Sequence, residues 1–309
     1  MNKAFVFPGQ GSQAVGMLAE LAAAFDTVEA TFAQASEVLG YDLWQLVQQG
    51  PAEQLNATHK TQPAMLAAGV AVWRVWQAAG GEMPVLMAGH SLGEYTALVC
   101  AGALEFADAV ALVADRGRFM QQAVPEGEGA MAAILGLEDE QVAAICEQAA
   151  HGEVLEAVNF NSPGQVVIAG QATAVARAVE AAKAAGAKRA LVLPVSVPSH
   201  CALMKPAAER LAERLAGVNI AAPSIAVLHN ADVAAYSEPE QIRDALVRQL
   251  HSPVRWVETI RALAGEGVAA VIECGPGKVL AGLNKRIERK MPVFPVFDPA
   301  SLDKALAAR

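Results

Sequence analysis

The stretch VLMAGHSLGEYTALVC, residues 85 to 100, changes character in its middle. The apolar run 85–88, short enough for a buried strand, enters Gly89-His90-Ser91-Leu92-Gly93, and an apolar helical pattern over 92–103 follows at once. G-x-S-x-G between a strand and a helix is the nucleophile elbow, in which small residues two positions either side of the serine let strand and helix pack around a sharp turn. The turn lifts the Ser91 hydroxyl clear of the backbone. It also sets Ser91 at a helix N-terminus, where free N–H groups favour developing negative charge. The plainer reading of Ser91 is a helix N-cap.

Outward from the elbow, strand-like runs at 4–7, 225–228 and 268–273 alternate with Ala- and Leu-rich helical stretches at 63–79, 105–123, 201–216, 253–264 and 278–289. This alternation predicts an α/β fold whose core is a mainly parallel, α/β-hydrolase-like sheet. One region departs from it. From 126 to 197 the order is strand (130–135), helix (138–150), strand (154–159), strand (166–169), helix (171–185), strand (189–193). That is βαββαβ, the ferredoxin-like arrangement, bounded by the breaker sequences VPEGEG and VPSH. The expected organisation is a large catalytic domain formed by 1–125 and 198–309, with a ferredoxin-like small domain inserted at 126–197. The cleft between two such lobes is a common ligand site.

Composition narrows the function classes. The 309 residues are 54% hydrophobic and 18% charged, with a net charge of −9. An acidic balance argues against general nucleic-acid binding, which needs a basic stripe. No apolar run approaches the ~18 residues of a membrane span, and AFVF beside Lys3 is too short for the ~7–15-residue core of a signal peptide. Cys100, Cys146, Cys201 and Cys274 lack metal-ligand spacing and form no disulfide framework. A soluble cytoplasmic protein with no metal is expected.

The chain also carries a glycine-rich loop, FPGQGSQ (7–13), after its first strand. Gly9-x-Gly11-x-x-Ala14 fits a loose dinucleotide fingerprint, but no second strand ends in an acid about 20 residues later, and no Gly-Lys-Ser/Thr follows. Such a loop presents backbone N–H groups to an anion. A transient oxyanion is then the alternative to a phosphate.

A serine nucleophile needs a base. His90 adjoins Ser91 and should point away from it, while His59 and His151 lie in polar, surface-like stretches. His229 and His251 remain possible. His200 lies where the inserted region returns and a helix begins, and the positive helix end favours a neutral imidazole that can accept a proton. No acid declares itself as a third member, so a Ser-His dyad is as plausible as a triad. In the helix at 105–123, Ala109, Leu112, Val113, Phe119 and Met120 form one apolar face, and Arg116 falls in its middle. A guanidinium there stays charged and needs an anion: a protein carboxylate, or the carboxylate of a substrate.

FPGQGSQ (7–13), TQPA (61–64), GHSLGEY (89–95), Arg116-Gly117 with Met120, PSH (198–200), QLHSPVRW (249–256) and ECGPGKVLAGLNKR (273–286) occur in this order. In these motifs the chain resembles the bacterial malonyl-CoA:acyl carrier protein transacylases, a family shared with polyketide synthase acyltransferase domains. The resemblance implies that Ser91 takes a malonyl group from malonyl-CoA and passes it to the phosphopantetheine thiol of acyl carrier protein, in fatty acid biosynthesis. It implies His200 as base, the Gln249 backbone carbonyl as its orienting group, Arg116 as the malonyl carboxylate clamp, and the N–H groups of Gln10 and Leu92 as the oxyanion hole. No cofactor is implied, since CoA and phosphopantetheine thioesters are substrates. VPSH (197–200) matches neither the HAFH nor the YASH tetrapeptide of the polyketide synthase domains, which leaves exclusion of a methyl-branched substrate open. A serine thioesterase or esterase is the rival activity.

Overall fold

The computed structural model describes residues 2–195 and 197–308. Five strands form a parallel sheet: β1 (Lys3–Phe7), β2 (Leu86–Gly89), β7 (Ala226–Leu228), β8 (Ala270–Cys274) and β9 (Val293–Val296), in the order β7-β2-β1-β8-β9. Every residue of β1 and β8 is buried, as expected of central strands covered on both faces. The Thr58–Ala78 helix covers one face, and Phe5 of β1 meets Trp73 and Trp76 edge-on at 5.3 and 5.2 Å. From β1 the chain builds to one side, through β2 and β7, and then returns to the other side at β8. Ligands bind outside the carboxyl ends of strands at such a switch point. Phe7 pairs with Gly89, so the glycine-rich loop after β1 and the elbow after β2 emerge side by side.

The four strands of the 126–197 region are β3 (Gly129–Leu135), β4 (Leu155–Ser162), β5 (Gln165–Gln171) and β6 (Arg189–Val192). They form a separate antiparallel sheet in the order β4-β5-β3-β6, the ferredoxin-like pattern. The Asp139–Ala150 and Ala172–Ala184 helices bury one face of it in a core of Ala, Val and Ile side chains. On the other face Met131, Val158, Val167 and Ala169 pack with Cys201. Backbone hydrogen bonds tie β4 to the 249–256 segment: the Val254 N–H donates to the Val158 carbonyl (2.8 Å) and the Phe160 N–H to the Val254 carbonyl (3.0 Å).

The strand β9 has no counterpart in the sequence reading. Pro295 interrupts its four residues and reads as a breaker; the position at the sheet edge is where a strand tolerates proline. The Pro239–Gln249 and Pro299–Leu306 helices are likewise additions to that reading, and both open on a proline at the first helical position.

Candidate active site

The elbow is built by close approach. A Cβ on Gly89 would lie 1.8 Å from the Gly93 carbonyl carbon, and one on Gly93 would lie 2.0 Å from the Phe7 carbonyl oxygen. Neither position admits a side chain. Between them Ser91 takes a φ of 51°, a left-handed conformation that costs a non-glycine residue energy and is held by its surroundings. Asn230 brackets the turn: its Oδ1 accepts the Ser91 N–H (2.7 Å) and its Nδ2 donates to the Gly89 carbonyl (2.6 Å).

His200, 2% exposed, places Nε2 2.8 Å from Ser91 Oγ and Nδ1 2.8 Å from the Gln249 backbone carbonyl. The carbonyl can only accept, so Nδ1 carries the hydrogen and Nε2 presents its lone pair to the hydroxyl. Burial first, and the nearby Arg116 charge second, push the His200 pKa down to about 3. The sequence credits a helix N-terminus with the neutral ring. In the structure His200 leads into a 3-10 turn, Ala202–Met204, before the Lys205–Ala216 helix, and burial and the guanidinium carry the effect instead.

Arg116 is 1% exposed. Its Nη1 donates to Gln62 Oε1 (2.8 Å), and its Nη2 donates to Gln249 Oε1 (3.0 Å) and approaches Ser91 Oγ (3.4 Å). The Tyr95 ring centroid lies 5.3 Å from the guanidinium carbon. Among the described residues no carboxylate pairs with it. Neutral amide oxygens hold the cation in place beside the serine, and its charge stays open to a ligand.

Gln10 and Leu92 line the same cleft with Ser91, His200 and Arg116. Neither backbone N–H has an acceptor among the described residues. Gly9 lets this loop press on the elbow, since a Cβ there would meet the His90 carbonyl at 2.5 Å. Met120, Met131, Leu193, Val195 and Val197 supply an apolar wall. The cleft therefore joins a serine with a neutral base, two unpartnered amides and a cation without a counter-charge.

None of the other histidines hydrogen-bonds Ser91 Oγ. His90 turns away from Ser91, with its Nε2 2.8 Å from Asn161 Oδ1. His229 sits behind the elbow with Nδ1 2.7 Å from Glu94 Oε1; His251 makes no hydrogen bond to the serine; His59 and His151 are exposed. Sequence reasoning missed Gln62, Glu94 and Asn230. Glu94 carried a usable signal, an acid inside the apolar helix that follows the serine, which is the argument already applied to Arg116.

The acyl transferase domain family matches residues 4–293. The malonyl CoA-acyl carrier protein transacylase of Salmonella typhimurium is 62% identical over 303 residues, covering 98% of both chains. Among solved structures, an acyl carrier protein S-malonyltransferase from Vibrio cholerae superposes with a TM-score of 0.96 at 62% identity, over 98% of this chain and 99% of that one. A malonyl-transacylase in complex with a type II polyketide synthase acyl-carrier protein gives 0.98 at 60% identity, over 99% of each. Similarity of this extent, end to end, shows that the chain belongs to the bacterial malonyl-CoA:acyl carrier protein transacylases.

Proposed function

We propose that this chain transfers a malonyl group from malonyl-CoA, through an ester on Ser91, to the phosphopantetheine thiol of acyl carrier protein. The observation that carries the reading is the placement of an unpaired Arg116 guanidinium 3.4 Å from a serine hydroxyl that already faces a neutral imidazole. A malonyl thioester has the matching parts, a carboxylate at one end and an electrophilic carbonyl at the other.

In the first half-reaction Ser91 Oγ attacks the thioester carbonyl carbon while its proton passes to His200 Nε2. The carbonyl oxygen becomes an oxyanion and takes hydrogen bonds from the Gln10 and Leu92 amides. Collapse breaks the C–S bond, and the CoA sulfur leaves with the proton from His200. The second half-reaction runs the same steps in reverse with the carrier thiol as nucleophile, and Ser91 regains its proton. The Gln249 carbonyl keeps the Nδ1–H in place throughout and stabilises the imidazolium that forms in each half. The residues supply all of these proton transfers, so the proposal calls for no cofactor, with both thioesters acting as substrates. No described helix is long and apolar enough to cross a membrane, and the four cysteines are free thiols. The proposal places the protein in the cytoplasm.

Transfer separates this reading from a thioesterase. With malonyl-CoA and a carrier protein bearing phosphopantetheine, malonyl should appear on the carrier, and release of free malonate should be a minor path. Hydrolysis outpacing transfer at saturating carrier would assign the site to a hydrolase.

The depressed His200 pKa sets a second expectation. A base is lost when it protonates, so activity falls as pH drops through the folded value of about 3 and not through the ordinary imidazole value. The kcat/KM of acylation should stay level from about pH 8 down to about pH 5, because that ratio reports the free enzyme. A single-turnover pH profile that halves near the ordinary imidazole range of ~6.5 would contradict it.

A further inference from the structure

Behind the elbow lies a fully buried carboxylate that the proposed chemistry does not use. Glu94, in the first turn of the Gly93–Cys100 helix, is 0% exposed. Its Oε1 meets His229 Nδ1 at 2.7 Å. Its Oε2 accepts the Asn230 N–H (2.8 Å) and the Gln249 Nε2–H (2.9 Å). The same Gln249 nitrogen donates to the Ser91 carbonyl (2.9 Å). Both hydrogens of the Gln249 amide are therefore committed on one side, and its oxygen is turned to Arg116 Nη2. A flipped amide would set NH₂ against the guanidinium and oxygen against both the carboxylate and the Ser91 carbonyl, three repulsive contacts in place of three attractive ones.

Glu94 and Arg116 are thus buried opposite charges separated by a single side-chain amide. A buried charge without compensation is strongly unfavourable, and direct pairing would satisfy both. Direct pairing would also fill the guanidinium's binding face. The interposed amide lets the anion support the cation while the guanidinium, with no carboxylate against it, still lines the cleft. We infer that Glu94 is a positioning residue for substrate selection: through the Gln249 side-chain amide it fixes and compensates the Arg116 guanidinium, so that this cation is free to take the malonyl carboxylate. The inference rests on the malonyl-transfer reading of the site.

Glu94→Gln tests it. The glutamine keeps the length of the side chain, its oxygen can still accept from Asn230 and Gln249, and its NH₂ can donate to His229 in the other tautomer. Only the charge is removed. The kcat/KM for malonyl-CoA should fall about 10- to 100-fold, with acetyl-CoA changed by no more than about 3-fold. Gln249→Met removes the relay yet keeps the backbone carbonyl that receives His200; because the lost amide also donates to the Ser91 carbonyl, it should lower transfer of both acyl groups, malonyl about 10-fold more than acetyl. If Glu94 acts through Gln249, the double variant should lose little more than Gln249→Met alone. Equal losses on both substrates with a lowered melting temperature, or additive losses in the double variant, would overturn the inference. Should E94Q not fold, Glu94→Asp, which keeps the charge but withdraws it from the Gln249 amide, decides it: a malonyl-selective loss supports the relay, and an equal loss on malonyl and acetyl removes it. The wild-type protein in the same assay keeps the two readings apart. If it fails to take malonyl in preference to acetyl, the transfer reading itself has failed, whereas a selective wild type with unselective losses in the variants refutes only the role of Glu94.

Discussion

Exposed to malonyl-CoA alone, the protein is expected to gain one malonyl mass on the peptide containing Ser91, and Ser91→Ala is expected to gain none. The expectation rests on geometry. Ser91 Oγ is held 2.8 Å from a buried, neutral imidazole whose other nitrogen is committed to a backbone carbonyl. Cys201, next to that histidine in sequence, is a poor substitute: its thiol is wholly buried, donates to the Pro198 carbonyl, and is pushed by burial to about 12. A thiol held protonated is a weak nucleophile. Loss of a serine nucleophile lowers turnover by roughly 10⁴-fold or more. Intact-mass and peptide mass spectrometry after brief mixing read the result. A label on Cys201 or Ser12 would move the nucleophile elsewhere.

Arg116→Ala is the second large effect, and it is selective. If the guanidinium receives the malonyl carboxylate, its removal leaves that carboxylate desolvated and unpaired, a loss of about 3–5 kcal/mol when one side of a buried pair is deleted. Carried into the transition state, this lowers malonyl kcat/KM roughly 10²–10³-fold, or more at the upper end. An acetyl group has no carboxylate, so its transfer should be spared or improved. Arg116 touches no protein carboxylate among the described residues, but its removal strands the Gln62 and Gln249 amide oxygens and leaves a cavity beside the buried Glu94, so the melting temperature should fall and the selectivity between the two acyl groups decides the reading. The pH profile gives an independent readout. The Arg116 charge contributes to the depressed His200 pKa, so in the alanine variant the acid limb of acetyl transfer should move to higher pH. Equal losses on both acyl groups would mean that Arg116 maintains the fold.

The local parts of this site are legible in the sequence because each has a short-range pattern. A strand, a tight glycine-flanked serine and a helix within 16 letters define the elbow, and a lone arginine on an apolar helical face asks for an anion. Gln249 is different in kind. It is its backbone carbonyl that meets His200, and no side-chain pattern marks a carbonyl, so only the family resemblance pointed to it. The polar residues around Glu94 escaped for a third reason. Gln249 and Asn230 reach Glu94 from 155 and 136 positions away, and such pairing exists only once β2 and the helices are assembled. In the fold, the five-stranded core was legible from apolar runs except at its edge, where Pro295 hides β9. The βαββαβ order was legible because every element in it is bounded by glycine or a polar turn.

The hydrogen bonds between β4 and Val254 bear on how such proteins could be recombined. The 126–197 insert looks like a detachable module in the linear sequence, with breaker residues at both seams. In three dimensions its edge strand is bridged to backbone that lies between Gln249 and Trp256, the stretch that opens with the carbonyl hydrogen-bonded to His200. A graft cut at the seams would bring a foreign strand against that stretch. The unit of exchange between relatives is therefore discontinuous: the insert together with residues 249–256, two pieces of chain that have to travel as one.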